Sequence, residues 1–598
     1  MRFIAACAFA AFALTSQAPV GSAPYRTLND RFAPPKFATV EAWKPRAEYL
    51  RQHVLASAGL LPLPEKTPLR ASVFGEIRRS DYTVSRVYFE SLPGFFVTGN
   101  LYRPNGDGPF PAILSPHGHW AYGRLENTAI NSVPARAINL ARQGLVVFTY
   151  DMVGYNDSQQ VPHTFSGQRE YMWGLSLSGL QLWDSIRAID FLETLPYVRK
   201  DAIGMTGESG GGTQTFLAAA ADSRIAVAAP VNMISLHMQG GCVCENPPGL
   251  RLETTNVEIA AAIAPRPLLM VSATGDWTAE TLEVEYPAVR AIYELFGAAD
   301  RVRAVRISAE HNYNKDSREA MYAWMAHWLQ DAPDAERIPE RSFTPEPVSS
   351  QLVFFQKPLP ANAVDVTGLT DEWIAAAKRQ LASDDTVAFS TALRHSLGFA
   401  SEGAGAVDLP AQGGSDGPGD RPKGGSHVLL GAADAPLEQA LAKAGFRASV
   451  IPFTRVDAAA AAKINHFDTY NRTAASQRVA DIVAAIRAHP GAALVAGGDA
   501  ALAGLLACAI VPVPLAVLAV GPFDTSSDAD YVSHVYVPGL RRAGDFKTAV
   551  AMSRGHVIVH DAGAAFQVPG LRPQAARLSP SEIVAVLRNP PRTGRGQR

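Results

Sequence analysis

Ala202-Ile-Gly-Met-Thr-Gly-Glu-Ser-Gly-Gly-Gly-Thr213 joins an apolar strand to a helix of small residues through a run of glycines. It contains the pattern G-x-S-x-G as Gly207-Glu208-Ser209-Gly210-Gly211. Glycine tolerates a sharp strand-to-helix turn, and such a turn lifts the middle hydroxyl above the edge of a sheet. The helix N-terminus that follows places backbone donors beside that hydroxyl. Outward from this point, apolar strands alternate with helices. Pro111–Ser115, Leu145–Tyr150, Val227–Pro230, Leu268–Ser272 and Val302–Ile307 read as strands, and Ala135–Gln143, Leu180–Glu193 and Asp316–Leu329 as helices. That alternation predicts a parallel sheet wrapped on both faces. Upstream, Tyr82–Glu90 and Phe95–Tyr102 alternate as a hairpin about Leu92-Pro93-Gly94.

A serine hydroxyl needs a base before it attacks anything. On a sheet of this kind the partners follow in the order serine, acid, histidine. Asp276 stands just past Leu268–Ser272, and His311 just past the last strand. Glu245, Glu253 and Glu280 are the fallback acids. A developing oxyanion needs two backbone donors. Gly210, next after the serine, supplies one, and His119 in the loop His117-Gly-His-Trp120 supplies the other. His117 and His119 have no third ligand at helix or strand spacing, so no metal is expected, and no cofactor motif is present. The segment 237–251 leaves the sheet at the ligand-binding end of its strands. His237, Glu245 and Arg251 are therefore expected to bind substrate. Trp120 and Trp277 flank two of the loops and either stack on a sugar or pack inside.

The chain has 598 residues, too many for one core, and a formal net charge of -2 that argues against nucleic acid as a partner. Residues 1–18 read as a signal peptide, with a short apolar run after Arg2, which implies a secreted or periplasmic protein. Residues 19–75 form an extension, 76–335 the catalytic domain, 336–425 a linker with short helices, and 591–598 a basic tail. Residues 500–523 are long and uncharged, but Pro512 and Pro514 divide them into a helix and a strand rather than a membrane span. Cys242 and Cys244 either close a small strained ring or remain thiols.

Residues 426–590 echo the first strand-and-helix order. Gly497-Gly-Asp-Ala-Ala501 falls where the serine motif would lie, with Asp499 at the serine position. This favours a duplicated, degenerate lobe that packs against the active one, with an unrelated Rossmann-like domain as the alternative. The oligomeric state is not legible.

Residues 70–330 resemble the α/β-hydrolases of the acetyl xylan esterase and cephalosporin-C deacetylase group, related to dienelactone hydrolases. The resemblance rests on Ser115-Pro-His-Gly-His-Trp120, Tyr150-Asp-Met-Val-Gly-Tyr-Asn-Asp-Ser158, Thr206-Gly-Glu-Ser-Gly-Gly-Gly-Thr213, Ala264-Pro-Arg-Pro-Leu-Leu269 and Glu310-His-Asn-Tyr-Asn314. It implies a doubly wound α/β-hydrolase fold, a triad of Ser209, Asp276 and His311, and an ester substrate such as an O-acetylated sugar or xylan. Gly240-Gly-Cys-Val-Cys-Glu-Asn-Pro-Pro-Gly-Leu-Arg251 departs from the plain esterase pattern and resembles exported bacterial relatives. A glucuronoyl-type ester hydrolase and a serine peptidase are the enzyme alternatives. An exported carbohydrate-binding or scaffold protein is the non-enzyme one.

Overall fold

The computed structural model describes residues 25–30, 33–382, 386–400 and 427–590. The expected signal peptide, the Gly-rich stretch 403–425 and the basic tail lie outside the described residues.

The larger sheet has nine strands: β1 (Ser72–Arg78), β2 (Tyr82–Leu92), β3 (Phe95–Pro104), β4 (Phe110–Leu114), β5 (Val146–Tyr150), β6 (Val198–Glu208), β7 (Ile225–Val231), β8 (Leu268–Ala273) and β9 (Val302–Ile307). Their order is β1-β2-β3-β5-β4-β6-β7-β8-β9. The first three strands are antiparallel and β3 joins β5 antiparallel; all pairs beyond that are parallel. This is the mostly parallel α/β sheet that the alternation predicts. Successive residues of a strand face opposite sides, and β4 and β5 show why their sequences are apolar throughout. Leu114 and Phe148 enter one core with the helices Val40–Ser57, Leu177–Thr194 and Gly210–Ala221. Ile113 and Val147 enter the other with Val133–Arg142 and Lys315–Gln330. β9 is half-buried, as expected of an edge strand.

The extension and the linker add more than expected: the sequence places helices near Trp43 to Ala58 and over Asp371 to Leu381, but shows neither β1 nor the burial of those helices in the main core. β1 adds an edge strand within the Pro-rich extension. The helix Val40–Ser57 is capped by Thr39, whose hydroxyl accepts from the Ala42 N–H at 3.2 Å, and it buries Trp43, Leu50 and Val54 in the main core. The stretch read as linker holds Val366–Leu381, whose Leu369, Trp373 and Ile374 also join that core.

The second sheet is parallel: β10 (His427–Leu430), β11 (Arg447–Val450), β12 (Ala493–Gly497), β13 (Leu515–Gly521) and β14 (His556–Ala562), in the order β11-β10-β12-β13-β14. This repeats β5-β4-β6-β7-β8 strand for strand. The strained turn is repeated too. Ser209 has φ 55° and ψ -121°, and Gly498 has φ 57° and ψ -135°. The Ser209 amide donates to Val231 O at 3.1 Å, and the Gly498 amide to Ala519 O at 2.8 Å. Gly498, not Asp499, therefore occupies the serine position. The sequence reading aligned the glycines and was off by one residue. Asp499 begins the helix and meets His534 Nδ1 at 3.0 Å.

The lobes touch through backbone as well as side chains. The Gly249 and Arg251 amides donate to Asp468 O and Thr469 O at 2.7 and 2.9 Å, and the Gly539 and Arg541 amides to Tyr171 O and Met172 O at 2.8 and 3.0 Å. Among the described residues, no helix is long and apolar enough to cross a membrane. The uncharged stretch 500–523 holds β13 and all but the first residue of the helix Asp499–Ala507.

Candidate active site

Ser209 sits between β6 and its helix, in a backbone conformation that is costly for any residue but glycine. The helix must approach closely for this turn to close. A Cβ on Gly211 would lie 2.8 Å from His117 O and Pro116 O, which explains the run of glycines after the serine.

Asp276 follows β8 and His311 follows β9, and the parallel pairing of these strands brings the two loops together. Asp276 Oδ2 accepts from His311 Nδ1 at 2.8 Å. Asp276 Oδ1 accepts from the Thr278 N–H at 2.7 Å and the Thr278 hydroxyl at 2.5 Å, so the carboxylate is fixed in direction. Asp276 is nearly inaccessible and His311 is about a quarter exposed (2% and 26%), so the imidazole can still meet a molecule from solution. Its Nε2 has no hydrogen bond among the described residues. Glu245 and Glu253 are engaged elsewhere, Glu253 with Arg472 at 3.3 Å.

The loop 117–120 lies over the serine turn. A Cβ on Gly118 would come 3.2 Å from Ser209 Cβ, and one on Gly210 would come 2.6 Å from His119 Cε1. The Gly118 N–H is already bound to Glu208 Oε1 at 3.0 Å. The His119 and Gly210 N–H groups have no such partner among the described residues. His117 is buried, and burial pushes its imidazolium down to about 3. Its Nε2 accepts from the Met152 N–H at 3.0 Å, which leaves Nδ1–H to donate to Gly118 O at 2.7 Å. A neutral histidine thus ties the loop to the end of β5.

The residue that organises this loop escaped sequence reading. Glu208, inside the serine motif, is fully buried. Its Oε1 accepts from the Gly118 N–H, Trp120 Nε1 and Asn131 Nδ2 at 3.0, 2.7 and 3.0 Å, and its Oε2 from Arg136 Nη1 at 2.8 Å. Arg136 also donates to Ser115 Oγ at 2.9 Å and lies over the Tyr313 ring at 4.4 Å. An arginine amid the apolar residues of Val133–Arg142 was the available clue.

The residues expected to bind substrate divide. Trp120 and Trp277 flank His311: their rings lie 6.1 Å and 4.5 Å from it, inclined by 19° and 31°. Both are half-buried, and the Trp120 N–H is committed to Glu208. His237 is half-buried on the loop after β7, its amide donating to Ser235 Oγ at 2.9 Å. Arg251 and Glu245 correct the sequence reading. Arg251 is wholly buried and donates to Asn246 Oδ1, Asn256 Oδ1 and Glu245 O at 2.7, 2.9 and 3.0 Å. Glu245 is buried and accepts from the Gly241 and Cys242 amides at 2.8 and 3.0 Å. The second lobe covers this segment, which short-range sequence patterns could not reveal.

Side chains able to hold a metal ion are nonetheless brought together beside this loop. His119, His163, Cys242 and Cys244 place their ligand atoms within 4.8 Å of one another. The four come from three separate loops, so no local spacing announces them. Both cysteines are thiols, not a ring. Hydrogen bonding, that of the Cys244 thiol first, outweighs burial and pulls the Cys242 thiol down to about 2.

Residues 94–335 match the family described as "X-Pro dipeptidyl-peptidase (S15 family)". "Putative hydrolase YtaP" of Bacillus subtilis (strain 168) is 26% identical over 291 residues, 45% of this chain and 95% of that protein. The solved structure of "Methylesterase BT1017" is 30% identical, with a TM-score of 0.51, covering 58% of this chain and 78% of that one. A glucuronoyl esterase from Solibacter usitatus is 16% identical with a TM-score of 0.38, covering 52% of this chain and 99% of that one.

Proposed function

The chain belongs to the α/β-hydrolase family that includes Methylesterase BT1017, and from that premise we propose that it is a serine carboxylesterase acting on an ester carried by a sugar or a polysaccharide such as xylan. The observation that carries the reading is the Asp276–His311 hydrogen bond of 2.8 Å, formed on loops at the same end of the sheet as the strained Ser209 turn.

In the proposed reaction, Asp276 holds His311 with Nδ1–H toward it, and Nε2 takes the proton of Ser209. The serine oxygen attacks the ester carbonyl, and the N–H groups of Gly210 and His119 receive the oxyanion. Collapse expels the alcohol, which takes the proton from His311. Water, activated by the same imidazole, then frees the acid and restores the serine. Trp120 and Trp277 keep the imidazole in place and offer their remaining faces to a sugar ring. The second lobe buttresses the segment 240–251 and has no nucleophile at Gly498. Residues 1–18 support an exported enzyme, secreted or periplasmic.

Acetyl groups on sugar hydroxyls are the first substrate class. The name of the 30%-identical relative favours a second, a methyl ester, for which the methyl ester of a sugar acid is the test substrate. Acetate release from acetylated xylan, measured beside methanol release from methyl glucuronate esters, decides between them. Cleavage of an X-Pro anilide with neither ester touched would sink the esterase reading. Asp276→Asn is expected to lower kcat by about 10⁴-fold, since the amide favours the wrong imidazole tautomer. A near-normal rate for that variant in a steady-state ester assay would remove Asp276 from the mechanism.

A further inference from the structure

We propose that His119, His163, Cys242 and Cys244 form a Cys₂His₂ site for Zn²⁺ that fixes the loop supplying one oxyanion donor. The position of this site beside the serine turn matters to catalysis only if the esterase reading holds, but binding of the ion does not depend on it.

The first support is geometric. Around a tetrahedral zinc ion, nitrogen and sulfur ligands are about 3.3–3.8 Å apart, given bond lengths of about 2.0–2.3 Å. Here all four ligand atoms fall within 4.8 Å of one another, and His119 Nε2 lies 3.1 Å from Cys244 Sγ. Small side-chain rotations close the remainder. The donor set, two thiols and two imidazoles, is the one that suits zinc rather than calcium or magnesium.

A second, independent observation comes from His163. Its Nδ1 donates to Val153 O at 2.6 Å, so Nε2 carries the lone pair. That Nε2 is buried and has no hydrogen-bond partner among the described residues. A metal-binding histidine has this arrangement, one ring nitrogen tied to a carbonyl and the other offered to the ion. The cysteine loop is held in the same way. Glu245 Oε2 accepts from the Gly241 and Cys242 amides, and Asn246 Nδ2 donates to Gly240 O and Cys242 O at 2.9 and 2.7 Å. These bonds turn two thiols, one residue apart, toward the same pair of histidines. Arg251 anchors Asn246 from beneath. The conformational cost of building the site is thus met by the fold itself.

Binding of Zn²⁺ forms two Zn–S and two Zn–N bonds and releases the thiol protons still present to solvent, with no change of oxidation state. Four side chains fill the tetrahedron, so the ion is closed to substrate and acts through position. The His119 ring lies against Gly210, and the His119 backbone N–H is the second donor of the proposed oxyanion hole. A ring held by the ion holds that N–H.

The test uses the full chain, purified without added chelator. Elemental analysis is expected to find one zinc per chain, retained on dialysis. Cys244→Ser and His163→Gln should each lose most of it, whereas Cys508→Ser, in the second lobe, should keep it. Replacement by Co²⁺ should give thiolate-to-cobalt charge-transfer and tetrahedral d–d absorption. Removal of the ion should lower kcat by up to about 10²–10³-fold, the cost of one oxyanion donor, with KM little changed. An intact mass lighter by two hydrogens, with a Cys242–Cys244 disulfide and no metal, would overturn the proposal. So would free thiols that take up neither Zn²⁺ nor Co²⁺. Stoichiometric zinc in a chain that hydrolyses no ester and resists fluorophosphonate would leave the site standing and refute the esterase reading instead.

Discussion

Ser209→Ala is expected to reduce ester turnover by about 10⁴–10⁶-fold, the range seen when the nucleophile of a serine hydrolase is removed. The residual rate comes from binding and the oxyanion donors alone. Fluorophosphonate should label the native chain at Ser209 and leave the variant unlabelled, as read by peptide mass. The fold should survive, because among the described residues the Ser209 hydroxyl makes no hydrogen bond. Ser209→Gly is the sharper companion. A side chain at φ 55° costs about 1–3 kcal/mol of strain, and the glycine relieves it. That variant should be as inactive as Ser209→Ala and at least as stable. The second lobe already carries this exchange: Gly498 holds the same turn without a side chain. Undiminished hydrolysis by either variant would remove Ser209 from the mechanism.

The sheet beyond β1 was legible because those strands answer to local rules. Val146–Tyr150 is apolar throughout since both of its faces are covered, and Gly207–Gly211 announces a turn that few sequences can make. The repeat was legible for the same reason, although its register slipped by one where glycines stand side by side. What stayed hidden depends on contacts distant in sequence. Arg251 looked like a pocket cation because nothing nearby shows that Thr469 and Tyr470 close over it. His163 is one histidine in an irregular loop, and only the fold sets it beside Cys242 and Cys244. Glu208 occupies the variable place of the serine motif, where a sequence pattern assigns no role.

Glu208→Ala is expected to destabilise the chain by about 3–5 kcal/mol and to lower kcat by about 10²-fold in the molecules that fold. Both effects follow from burial. Glu208 and Arg136 are each 0% exposed, so the carboxylate is what balances the guanidinium in a place water does not reach. Alanine leaves that cation uncompensated. It also leaves the Gly118 N–H, Trp120 Nε1 and Asn131 Nδ2 without an acceptor, and these three hold the loop that carries His119. Glutamine does not rescue the site. Its single oxygen can face either Arg136 or the three donors, and its NH₂ group meets N–H donors on the other side. The pair should nonetheless be replaceable as a unit. Glu208→Leu combined with Arg136→Met removes both charges, and should regain much of the stability while kcat stays low. Urea unfolding of the single and double variants, alongside steady-state ester kinetics, separates the two contributions. An unchanged midpoint for Glu208→Ala would mean that the ion pair is not what holds the loop. Full recovery of kcat in the double variant would mean that the loop keeps its place without the carboxylate.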